Sequence, residues 1–160
     1  MPQGFKFRLQ KVLEMREQRE KLLHKRFMEL LAAAEEEKRE LEKLYRYQTQ
    51  YREELNRKQR GAVDVNEVMQ YLHYLEALAR AIDEQILRVQ EAEERAEEAR
   101  RDLLKAQQEK KAVEKLKEKQ YEDYLKEQQR AEVIFLDEVS SSRFNRQQAD
   151  AARRAAPGKN

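Results

Sequence analysis

The sequence predicts an all-α protein, two long helices folded into an antiparallel coiled-coil hairpin with the second helix longer. Three observations predict it. First, a stripe keeps a 3-4 spacing through Leu23, Phe27, Leu30, Ala34, Glu37, Leu41, Leu44, Gln48, Tyr51 and Leu55. That 3.5-residue period winds helices around each other in a left-handed coiled coil. Second, the stripe breaks once, around Gly61, and resumes as Val65, Val68, Leu72, Leu75, Ala79, Ile82, Ile86 and Val89. Third, charged residues make up 41% of the chain, with two prolines, three glycines and no tryptophan, the profile of long helices rather than of a thick globular core.

The first helix is expected from about residue 8 to 59. Glu17 and Lys21, Glu35 and Arg39, and Glu42 and Arg46 form i,i+4 pairs on its solvated faces; each contributes only ~0.2–0.5 kcal/mol. Gly61 suits the left-handed position that ends a helix, within a turn at 60–63. Asp64, with Glu67 three residues on, reads as a capping pair opening the second helix, which is expected over about 64–139 with Ser140, Ser141 and Ser142 as a weak point. So short a connection makes the helices antiparallel neighbours. A turn centred near Gly61 puts residue 5 opposite about residue 117 and leaves 118–139 overhanging. Past Val89 the stripe runs Ala92, Ala96, Ala99, Leu103 and Ala106, a three-residue step that locally overwinds the supercoil. Residues 1–142 form the hairpin in this reading, after a short lead-in from Met1 to Gly4. Residues 143–160 form a basic tail with a frayed end at Pro157 and Gly158. Glu37, Gln48, Glu93 and Arg100 fall on stripe positions, so the core is thin and other proteins are expected to complete it.

The 34 basic residues nearly cancel 32 acidic ones, which disfavours a general polyanion binder, and no nucleic-acid partner is expected. There is no cysteine, which excludes thiol chemistry and disulfides and fits a reducing compartment. No apolar run approaches the ~20 residues of a membrane span, and the N-terminus has no signal-peptide core. A soluble, cytoplasmic protein is the expectation. Catalysis has no foothold: no glycine-rich phosphate loop is present, the three serines form one run, and His24 and His73 are isolated. No enzyme activity, cofactor or metal is expected, and Glu35-Glu36-Glu37 reads as a solvated face because consecutive residues point around a helix.

Tyr71, Tyr74, Leu78 and Ala81 lie beside the stripe Val68, Leu72, Leu75, Ala79 and Ile82, one position earlier at each step. A two-stranded coil does not need a second apolar stripe. It either shields the seam or is offered to a partner, and the partner reading is preferred. At the other end, residues 1–30 carry eight Lys or Arg against four Glu, so the open end of the hairpin is basic.

Three segments in order carry a family resemblance. The opening Phe5-Lys6-Phe7-Arg8-Leu9-Gln10-Lys11-Val12-Leu13 is an aromatic-basic-aromatic-basic-Leu-Gln-basic-Val-Leu run. The middle contains Tyr71, Tyr74, Leu78, Ala81 and Ile82. The close contains Lys111-Ala112-Val113-Glu114-Lys115-Leu116-Lys117-Glu118, then Leu136-Asp137-Glu138 and Phe144. Together they resemble the flagellar FliJ family, the coiled-coil stalk proteins of the flagellar type III export apparatus. The resemblance implies a hairpin whose chain ends enter the export ATPase ring, through Phe5, Phe7, Arg8, Leu9, Lys11 and Leu13 and, more broadly, residues 5–23 and 100–140. It implies that the turn region meets the membrane export gate protein through Tyr71, Tyr74, Leu78, Ala81 and Gln85, although Gln85 lacks the apolar character such a patch wants. Export chaperones are a further implied partner. The location implied is the cytoplasmic face of the inner membrane at the flagellar base, held there through protein partners. From another class, a generic structural scaffold would homodimerise through the same stripe.

Overall fold

A computed structural model describes residues 4–156. The lead-in Met1–Gln3 and the expected frayed end at Pro157 and Gly158 lie outside the described residues. The protein is all-α, with two long helices packed against each other and no strand among the described residues. α1 spans Gln10–Gln59 and α2 spans Val65–Ala155.

Both ends of the connection differ from expectation in physical detail. Gly61 does not adopt a positive φ; among the described residues only Gly4 does. α1 ends instead by tightening, with the Arg60 amide bonded to the Arg57 carbonyl at 3.3 Å, one of the usual ways to satisfy terminal carbonyls. Asp64 does cap α2. Its Oδ1 accepts from the Asn66 amide at 3.0 Å, and its carbonyl takes the first helical bond, from the Val68 amide, at 3.1 Å. Glu67 does not close a capping box, because its carboxylate pairs with Lys58 across the turn. α2 also runs on past its expected stop at 139, straight through Ser140, Ser141 and Ser142. Serine costs a helix interior well under 1 kcal/mol, too little to halt a run flanked by Glu, Arg, Gln and Ala.

The chain forms two compact units, one of residues 12–111 and one of residues 4–11 with 112–156. In the first, α1 and α2 form an antiparallel hairpin. The pairs Lys58 with Glu67, Glu54 with Tyr71 and Arg16 with Glu109 all bracket a midpoint between residues 62 and 63. The α1 stripe follows the sequence reading: Ala34 and Leu55 are buried, and Leu23, Phe27, Leu30, Glu37, Leu41, Leu44, Gln48 and Tyr51 are half-buried.

On α2 the register differs by one residue at alternate positions. The inward residues are Val68, Tyr71, Leu75, Leu78, Ile82, Gln85, Val89, Ala92, Ala96, Ala99, Leu103 and Ala106. Leu72 and Ala79 are exposed, as is Val65, while Ile86 is only half-buried. In this register the steps alternate three and four without interruption, so the overwound step after Val89 does not occur. Glu93 and Arg100 point to solvent rather than into the seam. The expectation of a thin core holds in one respect: among the described residues no large side chain is completely sealed.

In the second unit, Phe5 packs edge-on against Tyr121, with centroids 5.2 Å apart, and at 5.5 Å against Tyr124. Residue 5 therefore meets residues 121–124 rather than 117. The shift follows from a connection centred one to two residues later than Gly61. Gly4, at φ 113°, lies where a Cβ would come within 2.9 Å of the Tyr124 hydroxyl, so a side chain there would strain the backbone and strike the ring.

Candidate partner-docking surfaces

Near the turn, the five residues expected to face a gate protein separate into two environments. Leu78 is 6% exposed and Gln85 7%, both in the seam. Gln85 Nε2 donates to the Glu37 carbonyl at 3.0 Å and to Glu37 Oε2 at 2.5 Å. A partner cannot reach either residue while the hairpin is closed. The sequence reading placed Leu78 outside the core because Ala79, next to it, continues an equally apolar pattern. It placed Gln85 outside because Ile86 is the more hydrophobic neighbour.

Ala81 and Tyr74 lie outside the seam, while Tyr71 stands at a seam position near the turn. Tyr71 is half-buried, donates to Glu54 Oε2 at 3.3 Å, and has the Lys58 ammonium 5.0 Å from its ring centroid. Tyr74 is 41% exposed and stacks at a tilt on Tyr51, centroids 4.3 Å apart. Burial, and then the neighbouring Tyr51 and Tyr47, push the Tyr74 phenol above its ordinary pKa. Tyr47, also exposed, extends this face into a tyrosine patch contributed by both helices. Sequence reasoning missed the α1 half of it, although Tyr47 and Tyr51 at i,i+4 were a visible signal. Val63, Val65, Met69 and Leu72 form a further exposed apolar set beside the turn.

In the unit holding the chain ends, Phe7 is buried with the Lys117 ammonium 5.9 Å from its ring centroid, and Lys117 donates to Gln10 Oε1 at 2.7 Å. Phe5 and Leu9 are half-buried, and Arg8 and Lys11 are exposed. Leu13, in the hairpin unit, is buried at 4% exposure. The opening motif thus divides by chemistry: its apolar members are held within the chain, and its bases face solvent. Tyr121 and Tyr124, which hold Phe5, were not singled out from sequence; their i,i+3 spacing on a charged helix is the signal.

The remaining surface is the C-terminal part of α2. From residue 125 to 155 only Val139 is even half-buried. Leu125, Val133, Ile134, Phe135, Leu136 and Phe144 are exposed there, Phe135 at 63%.

Concave features do not converge on chemistry. A cleft between the hairpin helices is lined by Glu17, Glu20, Lys21, His24 and Lys110, and Lys110 is held by Glu20 at 2.5 Å. Among the described residues no three His, Cys, Asp or Glu gather as a metal site, and no helix is long and apolar enough to cross a membrane. The exposed features are an aromatic patch near the turn, bases at the start of the chain, and apolar side chains along the C-terminal part of α2.

The family described as Flagellar FliJ protein matches the chain over residues 5–149. No curated protein and no solved structure matches it.

Proposed function

The chain belongs to the flagellar FliJ family, coiled-coil proteins associated with flagellar protein export, and from that premise we propose that it is the non-enzymatic stalk and coupling subunit of the export apparatus. Its terminal ends enter the export ATPase ring, its turn region contacts the membrane export gate, and it escorts export chaperones. It works on the cytoplasmic side, reaching the membrane only through protein partners.

The observation that carries this reading is the family match over residues 5–149, nearly the whole chain. The surfaces support the division of labour. Arg8 and Lys11, both exposed, make the start of the chain basic, which suits complementarity to an acidic ring interior. Tyr74, with Tyr47 and Ala81 beside it, offers the aromatic anchor that a firm docking contact uses. Leu78 and Gln85 serve that contact by holding the seam beneath it. The generic-scaffold alternative loses ground because the stripe a scaffold would dimerise through is filled within one chain.

The test is a titration of purified export ATPase with this chain. The chain alone hydrolyses no ATP, the ATPase rate rises on its addition, and Arg8→Glu with Lys11→Glu weakens the effect most at low salt. An ATPase indifferent to the chain contradicts the proposal. At the other end, Tyr47→Ala with Tyr74→Ala weakens gate binding by ~2 kcal/mol or more if these rings are interface anchors, with helical content unchanged.

A further inference from the structure

We propose that the C-terminal part of α2, residues 125–155, pairs antiparallel with the same segment of a second copy of this chain, centred on Ser140. This goes beyond the stalk reading and does not rest on it.

The segment is continuous helix with no other described part of the chain over it. One stripe along it carries no charge: Leu125, Gln129, Val133, Leu136, Ser140, Phe144, Gln147, Ala151 and Ala155. The steps along that stripe are 4-4-3-4-4-3-4-4, an eleven-residue pattern that departs from the heptads of the hairpin seam. The series also reads the same in both directions from Ser140. An antiparallel pair centred there sets Leu136 against Phe144, Val133 against Gln147, Gln129 against Ala151 and Leu125 against Ala155. The two Ser140 residues, small enough for close approach, meet at the axis. A parallel pair would instead set Phe144 on Phe144 and Gln147 on Gln147.

Charge selects the same partner and the same direction. Before Ser140 the segment carries Glu127, Glu132, Asp137 and Glu138 against Lys126 and Arg130. After it come Arg143, Arg146, Arg153 and Arg154 against Asp150. An acidic half followed by a basic half is complementary to itself only when reversed. In the pairing centred on Ser140, Asp137 comes level with Arg143, Arg130 with Asp150 and Glu127 with Arg153. Only Lys126 and Arg154 come level with like charge. The spacing between such levels is on the order of a Debye length of ~8–10 Å, so the effect steers orientation more than it adds affinity. Ile134 and Phe135 lie off this stripe, and the pairing leaves them free for other contacts.

The chain has no cysteine, so single cysteines in the full-length protein read the geometry directly. Under mild oxidation Ser140→Cys is expected to form a disulfide-linked dimer readily. Val133→Cys and Gln147→Cys should each crosslink poorly alone and efficiently when mixed, and sedimentation of the unmodified chain should show a concentration-dependent monomer–dimer equilibrium weakened by salt. Equal crosslinking of all three single variants would mean a parallel pair and would overturn the proposal. So would a chain that stays monomeric at every concentration, including one whose Ser140→Cys thiol is shielded only when another protein is added. Circular dichroism of each variant checks that the helices are intact. Stimulation of the export ATPase by the unmodified chain is read separately, so failure of the stalk reading and failure of this pairing are distinguishable.

Discussion

The hairpin seam of residues 34–106 and the α2 segment 125–155 are both highly charged helix, yet one is covered and the other bare. In the seam, Leu78, Ile82, Val89, Ala96, Ala99 and Leu103 are buried against α1. In the later segment, side chains as apolar as Val133, Leu136 and Phe144 stay more than half exposed. Helix propensity is similar in the two regions, so it does not decide which is tightly held. What differs is a facing stripe at matching spacing. The seam meets α1 in heptads, whereas the later segment repeats in elevens and has no facing helix among the described residues. Secondary structure and stability are therefore separable in this molecule, and substitutions can test that separation.

The largest expected effect is in the seam. Leu78→Ala with Ile82→Ala should lower stability by ~2–5 kcal/mol per site, the usual cost of truncating a buried aliphatic, and should abolish a cooperative thermal transition near its original midpoint. Val133→Ala with Leu136→Ala should leave that transition of the dilute chain almost where it was. A thermal scan of both double variants checks the comparison, and equal losses would remove the distinction between the two regions.

A smaller effect sharpens the account of the seam. Gln85 is bonded to Glu37 by one carbonyl and one carboxylate contact. Gln85→Leu should cost about 1 kcal/mol, because the Glu37 groups lose their partner in a partly dry site. Adding Glu37→Leu should recover that loss or exceed it, since replacing both members of a buried polar pair is often neutral or stabilising. Denaturant midpoints of the single and double variants measure the coupling. Simple additivity would mean that the pair is not an interacting unit.

The smallest effect is in pH dependence, and the seam region carries it. Lys38 is raised above its ordinary 10.5 by hydrogen bonding to Glu93 and then Glu35, and Lys58 chiefly by Glu67. Burial, followed by Tyr51, raises Tyr74 above 10.0. All three hold their protons more tightly when folded. Their stabilisation is therefore complete below the unfolded values and is lost as pH rises through the raised ones. At the acid side Glu97 is lowered from 4.5, mainly by Arg100, so its contribution is present above that value and fades as pH falls. All are solvent-facing groups whose pairs are worth little. The thermal midpoint should be flat from about pH 6 to 9 and decline gently above 10. A steep change near neutrality would point to a titrating group outside this set.

Much of this architecture was legible in the sequence. The α1 stripe, the single break, the short connection and the greater length of α2 all follow from spacing and composition. The α2 register was not legible, because both candidate stripes share Val68, Leu75, Ile82 and Val89. The choice between Tyr71, Leu78 and Gln85 on one side and Leu72, Ala79 and Ile86 on the other then turned on hydrophobicity alone. That criterion rejected Gln85, whose polarity is answered in the fold by Glu37. Continuity was the better guide, since only the first set joins Ala92 and Ala96 without an extra three-residue step. The docking residues were affected in the same way. Tyr74 is correctly outside the seam, while Leu78 was assigned outward by the same one-residue slip. The contact of Phe5 with Tyr121 and Tyr124 depends on where the turn is centred, and glycine marks a turn more reliably than it marks the turn's midpoint.

Hydrogen exchange of the full-length chain at high dilution tests most directly the claim that only the seam is held by the chain itself. Amides of residues 71–106 should exchange slowly, near the rate set by global unfolding, while those of 125–155 should exchange orders of magnitude faster through local opening. Equal protection of the two stretches in the dilute monomer would contradict the account.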